Sequence, residues 1–183
     1  PSVVAHWVWL LVDTGVRRVV DLIVGLGFDT AAFLATGLSV TAVERDPGVA
    51  AFCAYNNPGA DVVVADATSD EVTSLVASLD STDVVFVDPA RRDPRGPRDT
   101  TTARARPERD PERWSPPWSY VEALPAPRVV AKVAPAFEPP DGWCAQWTSV
   151  GRTLVEAMAA SWPLVPERSA LVLPQGVTID ATS

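Results

Sequence analysis

The sequence predicts an α/β fold, a Rossmann-like, doubly wound and mostly parallel sheet of seven strands, and three observations carry that prediction. Short β-rich runs opening at Arg18, Ser39, Asp61 and Asp83 alternate with helix-like stretches, the rhythm of parallel βαβ units joined by right-handed crossovers. The first run, Arg18 to Val24, breaks at Gly25 and Gly27 before a helical pattern begins, the strand, tight turn and helix of a nucleotide-binding turn. The next three runs each end in an acid, Glu44, Asp66 and Asp88, and ligands of such sheets bind beyond the carboxyl ends of the strands.

Each element has its own justification. Val3 to Val12, with Trp7 and Trp9, reads as a helix packing against the sheet edge or, for so short an apolar run, as a strand. The Val/Ile/Leu run from Arg18 reads as a strand buried on both faces. Gly25 and Gly27 then let the backbone approach a ligand at the positive end of a helix from Thr30 to Thr36. Ser39 to Glu44 is the second strand. Asp46 is the N-cap and Pro47 the first residue of a helix to Tyr55, closed by the turn cluster Asn56 to Gly59. Asp61 to Asp66 and Asp83 to Asp88 are strands separated by a helix from Ser69 to Leu79. Periodicity stops from Asp93 to Pro117, within a Pro- and Arg-rich loop at about 91–117; loops of such length are functional or disordered. A short helix at Ser119 to Leu124 precedes a fifth strand, Pro127 to Ala134, and a proline-rich turn to Gly142. Ala145 to Val150 reads as a strand, Thr153 to Ser161 as a helix and Ser169 to Leu173 as the last strand, before a polar tail that is a short strand or the start of a linker.

At 183 residues, 47% apolar and 21% charged, the chain reads as one domain over residues 1–183. No stretch approaches the roughly 18 uncharged apolar residues of a membrane span, and Pro1 to Val12 lacks the basic start and cleavage site of a signal peptide. The chain opens on Pro and its only Met is Met158, the pattern expected of an excised piece. Cys53 and Cys144 are too few and too distant for a zinc site or disulfide framework and read as buried thiols of a reducing, cytoplasmic protein. With His6 the only histidine, and in an apolar segment, no His-based triad or metal site is expected. Net charge is −8. Between Arg91 and Arg113, however, eight arginines face five acids, a local balance of +3, which leaves −11 elsewhere.

This order of motifs resembles class I methyltransferases that use S-adenosylmethionine, from about Arg17 to Leu173. Asp21, Gly25 and Gly27 match the acid and the last two glycines of that family's first motif, and Ile23 stands where its first glycine belongs. Asp88-Pro89-Ala90-Arg91 is similar to its strand-four motif. Val87 to Arg92, Pro116-Pro117-Trp118 and Ala131 to Pro135 resemble bacterial methyltransferase domains joined to a THUMP-like RNA-binding domain, which implies RNA as a partner. The resemblance puts Asp21, Gly25, Gly27, Glu44, Asp66 and Ala67 at the cofactor, with Glu44 on the ribose and Asp66 on the adenine amino group. It puts Asp88, Pro89 and Lys132 at the chemistry and Arg91, Arg92 and Trp118 at the acceptor.

Several positions keep more than one reading. The three strand-end acids form a shared site or cap the following helices. Lys132 ion-pairs Asp88, contacts substrate, or snorkels without a role. Trp118 offers a stacking face or anchors the loop, and the arginines grip phosphate or are solvated. Ile23 is a β-branched residue at a position that favours glycine, Phe28 replaces a small residue, and Arg91 replaces the aromatic that amino-methylating relatives stack on a flipped base. These departures motivate a second reading, a degenerate binding module with the same fold. A third, an NAD(P)-dependent oxidoreductase, rests on Gly25-x-Gly27 with Glu44 17 residues on, but has Thr30 where a third glycine belongs.

Overall fold

The computed structural model describes residues 3–91 and 108–181. Helix α1 (Val3–Asp13) precedes β1 (Arg18–Leu22), α2 (Phe28–Ala35), β2 (Ser39–Glu44), α3 (Pro47–Asn56), β3 (Asp61–Val64), α4 (Asp70–Ala77) and β4 (Asp83–Val87). After residues 92–107, α5 (Trp118–Glu122) leads to β5 (Val129–Val133), β6 (Cys144–Val150), β7 (Thr153–Ala160), β8 (Arg168–Leu173) and β9 (Val177–Asp180). One sheet runs in the order β3-β2-β1-β4-β5-β7-β6-β8-β9. Its first five positions are parallel, and β7 enters antiparallel between β5 and β6.

The sheet therefore has nine strands where seven are expected, for two reasons. The segment from Thr153 is a strand and not a helix, although Leu154, Glu156, Ala157 and Met158 are good helix formers. Val150 pairs with Thr153, so Gly151-Arg152 is a two-residue hairpin turn that returns the chain onto β6, and β5 occupies the other edge of β7. Ala157, Ala159 and Ala160 are fully buried between these neighbours, so tertiary pairing overrides local propensity. The polar tail supplies the second added strand, β9, antiparallel to β8.

Strand alternation sorts the core into two layers, because successive side chains point to opposite faces. Val20, Leu22, Val85, Val87, Val129 and Ala131 pack under α4 and α5. Val19, Val84, Phe86, Val130 and Met158 pack under α1 and α2. The helix starts behave as their residues dictate: the Asp46 carboxylate accepts from the backbone N–H groups of Gly48 and Val49 at 2.8 and 3.0 Å, and Ser69 caps α4 through Val72. Cys53 and Cys144 are buried free thiols. Among the described residues no helix is long and apolar enough to cross a membrane.

Candidate active site

The loops beyond the carboxyl ends of β1, β2 and β3 form one wall of a pocket of about 320 Å³, lined by Ile23, Glu44, Arg45, Asp66 and Ala67. Ala90 and the stretch 114–117 form the opposite wall. That second wall is held by backbone bonds between Ala90 and Ser115 in both directions, at 2.9 and 3.1 Å. Trp114 Nε1 donates to the Glu108 carbonyl at 3.2 Å, and the Trp114 and Trp118 rings both pack on Phe137, 5.2 and 4.6 Å between centroids. The Tyr120 hydroxyl donates to the Ala67 carbonyl and ties α5 to the first wall.

Glu44 is the buried acid of this pocket, 8% exposed. Its Oε2 accepts the Gly25 N–H at 3.1 Å and its Oε1 the Asp46 N–H at 3.0 Å, so the carboxylate joins the glycine turn to the end of β2. Each oxygen keeps acceptor capacity for a ligand hydroxyl. Asp66 Oδ1 accepts from the N–H and hydroxyl of Thr68 at 2.9 and 2.7 Å, and these bonds hold its carboxyl below the usual range.

The two glycines differ. A Cβ on Gly25 would meet nothing within 4 Å, so its backbone is open to approach. A Cβ on Gly27 would stand 2.2 Å from Asn57 Nδ2 and 2.8 Å from Cys53 Sγ. Gly27, expected at the cofactor, carries a packing constraint of its own, seating α2 against α3. Ile23 adopts φ +67°, a left-handed conformation that costs a β-branched residue about 1–2 kcal/mol, and it lines the pocket. Phe28 is exposed and lines neither this pocket nor the one beyond it.

Asp21 also lies behind the pocket. It is 2% exposed and its Oδ2 accepts the Thr30 hydroxyl at 2.6 Å, a lock between β1 and α2. Burial pushes its pKa up to about 8, against the pull of the Thr30 bond. It lines neither pocket and is bonded instead to the first turn of α2.

A second pocket adjoins the first at Ala90, which lines both, and is formed by Asp88, Pro89, Arg91, Glu108, Ala134 and Pro135. Here stand three of the predicted residues, Asp88, Pro89 and Arg91. Arg92 lies outside the described residues. Trp118 takes the anchoring role of its two readings and not the stacking role: it is 5% exposed, against Phe137 and Trp143.

Lys132 bridges two acids, and strand parity accounts for one of them, Asp88. Phe86 pairs with Asp21 on β1, and Val87 with Ala131 on β5, so the next residues along, Asp88 and Lys132, share the α1–α2 face. The nearer partner is one that sequence reasoning missed. Lys132 Nζ lies 2.6 Å from Asp29 Oδ2 in the first turn of α2 and 3.6 Å from Asp88 Oδ2. An acid two residues after Gly27, at a helix N-terminus, was the available signal. Burial raises the pKa of Asp88, Lys132 and Arg91 oppose that, and Asp29 reinforces it. Burial lowers that of Lys132, but Asp88 and Asp29 outweigh it and the net shift is upward. Among the described residues no cluster of His, Cys, Asp and Glu is suited to hold a metal ion.

No family model and no curated protein matches this sequence. Solved structures do match. A candidate methyltransferase from Porphyromonas gingivalis W83 superposes with a TM-score of 0.58 over 92% of this chain and 46% of its own, at 20% identity. The fold is that of the methyltransferases. The hMettl16 catalytic domain, solved in complex with the MAT2A 3′UTR hairpin 1, gives 0.54 over 92% of this chain and 74% of its own, at 16% identity. A SAM-dependent methyltransferase from Agrobacterium tumefaciens gives 0.51 over 87% and 61%, at 12% identity. This methyltransferase-fold chain spans less than two thirds of the length of the first and third of these structures.

Proposed function

We propose that this chain is an S-adenosylmethionine-dependent methyltransferase acting on RNA or another nucleotide-containing acceptor in a reducing, cytoplasmic setting. The observation that carries the reading is the pair of adjoining pockets. A nucleoside-sized one has a buried carboxylate, Glu44, and an exposed one, Asp66; through Ala90 it meets a second one headed by Asp88. The residues fit the cofactor: the backbone at Gly25 is open and Glu44 keeps acceptor capacity on both oxygens. Glu44 would hold the ribose diol and Asp66 with Ala67 the adenine edge.

Bound S-adenosylmethionine supplies an electrophilic methyl group on a sulfonium, so the protein needs to position an acceptor in line and accept its proton. Asp88 accepts a hydrogen bond from the acceptor N–H or O–H and orients the nucleophilic lone pair. Pro89, buried, fixes the backbone beside it. Arg91, in the same pocket, supplies a positive charge suited to a phosphate. The lack of an aromatic after Pro89 argues against an adenine amino group as acceptor. Support for RNA comes from the hairpin bound to hMettl16 and from the arginines that follow Arg91.

Isothermal titration with S-adenosylhomocysteine, with NADH and NADPH in parallel, tests the reading. Micromolar binding of S-adenosylhomocysteine alone is expected; Glu44→Ala should weaken it by tenfold or more, the loss of a charged hydrogen bond being about 1.5–3 kcal/mol. Asp88→Ala should preserve binding and abolish transfer in an RNA acceptor screen. Absence of binding by the folded protein would support a degenerate binding module instead, a reading favoured by the left-handed Ile23 in the pocket wall.

A further inference from the structure

One ammonium serves several carboxylates on the face of the sheet that α1 and α2 cover. Lys132 of β5 is 12% exposed at its side chain, Asp29 of α2 18% and Asp88 at the end of β4 38%. Glu156 of β7, two residues before the Met158 that pairs with Lys132, belongs to the same group, and its Oε1 is buried without a partner. Asp21 of β1 feels the charges of Asp29, Lys132 and Asp88, and the Arg91 charge acts on both Asp88 and Glu156. Helix α1 contributes Trp7, whose Nε1 is also unpaired, and no charge, to the small cavity lined by Asp29, Lys132 and Glu156. The tight half of the bridge is thus on the helix of the glycine turn, and the loose half is on the acid of the second pocket.

We propose that Asp29 is a positioning residue that sets the charge of Asp88 by holding Lys132, so that the helix of the glycine turn and the acceptor-side acid share one cation. Asp88's part in methyl transfer rests on the function proposed above; the linkage itself needs no ligand. An ammonium drawn toward Asp29 gives less to Asp88, and an Asp29 carboxylate also opposes a second negative charge nearby. Both effects keep the Asp88 carboxylate basic enough to take a proton. Any ligand that shifts the first turn of α2 would redistribute the cation between the two acids.

The test is a carboxyl-carbon NMR titration of Asp88 in the ligand-free protein, with the resonance assigned by its absence in Asp88→Asn. Asp29→Asn should lower the pH at which Asp88 titrates by about half a pH unit or more, and Lys132→Met should raise it. Opposite displacements are expected because one variant frees the cation and the other removes it. An unchanged or raised midpoint in Asp29→Asn overturns the proposal, and that neutral near-isostere decides it alone if Lys132→Met fails to fold. S-adenosylhomocysteine titration of the wild type keeps the two readings apart: loss of binding there sinks the proposed function, while the ligand-free midpoint still decides the linkage.

Discussion

Asp21 ties the most buried acid of the site to the stability of the whole chain. Its pKa is raised from 3.8 to about 8 by burial, so the folded protein holds a proton that the unfolded chain has released. Stability linked to Asp21 is therefore fully present below about pH 4 and is lost as pH rises toward 8. Asp21→Asn removes that dependence and keeps an oxygen to accept the Thr30 hydroxyl. The variant should melt above the wild type near pH 8, with the difference shrinking as pH falls toward 4, in thermal denaturation followed by circular dichroism. A constant difference across that range would contradict the protonated state. The identity of this acid was legible in the sequence from its place before the glycine turn. Its partner was not, because Thr30 and Asp21 meet only when α2 folds back over β1. Likewise Lys132 and Asp88 could be paired from strand order, but the closer Asp29 comes from a helix whose placement the strands do not specify.

At the scale of elements, the turn between β1 and α2 separates two kinds of glycine that look alike in sequence. Gly25 lies at φ +55° with open space where a Cβ would go, and Gly27 at φ +80° with Asn57 and Cys53 of the α3 end against it. Gly25→Ala should then cost only the left-handed penalty, about 1 kcal/mol, and weaken S-adenosylhomocysteine binding. Gly27→Ala carries the same penalty plus overpacking of about 1–3 kcal/mol. Urea denaturation should show the larger destabilisation in Gly27→Ala, and equal effects would refute the assignment of Gly27 to packing. The βα rhythm made the first four strands and the helices between them readable, since apolar runs alternate with helical stretches, two of which are capped by Asp46 and Ser69. The fold became opaque after β5. There the Ala- and Met-rich β7 carries helix propensity, and only its insertion between β5 and β6 makes it a strand. The Gly151-Arg152 hairpin was the one local sign of that outcome. The wall made by Trp114 and Ser115 was equally hidden, because it depends on Ala90 pairing across a long connection.

For the whole molecule the deciding quantity is where the charge lies. A net charge of −8 repels a polyanion, yet the stretch from Arg91 to Arg113 carries +3 while everything else carries −11. The electrostatic part of any RNA binding must therefore come through this stretch, which enters the chain directly after Asp88 and returns at the Ser115 bridge beside the pocket. Replacing Arg91, Arg92, Arg95 and Arg98 by Gln removes half of its eight arginines. For a single strand, every phosphate that an arginine no longer neutralises reduces the slope of log affinity against log salt by about 0.7, so up to about 3 is at stake. Fluorescence anisotropy of a labelled single-stranded RNA over a salt series should show weaker binding at low salt and a flatter slope in the variant. S-adenosylhomocysteine affinity should hold, since Arg91, the one of the four among the described residues, does not line the nucleoside-sized pocket. An unaltered slope would mean that the five acids of the stretch already cancel its charge, and would move RNA recognition to shape or to another chain.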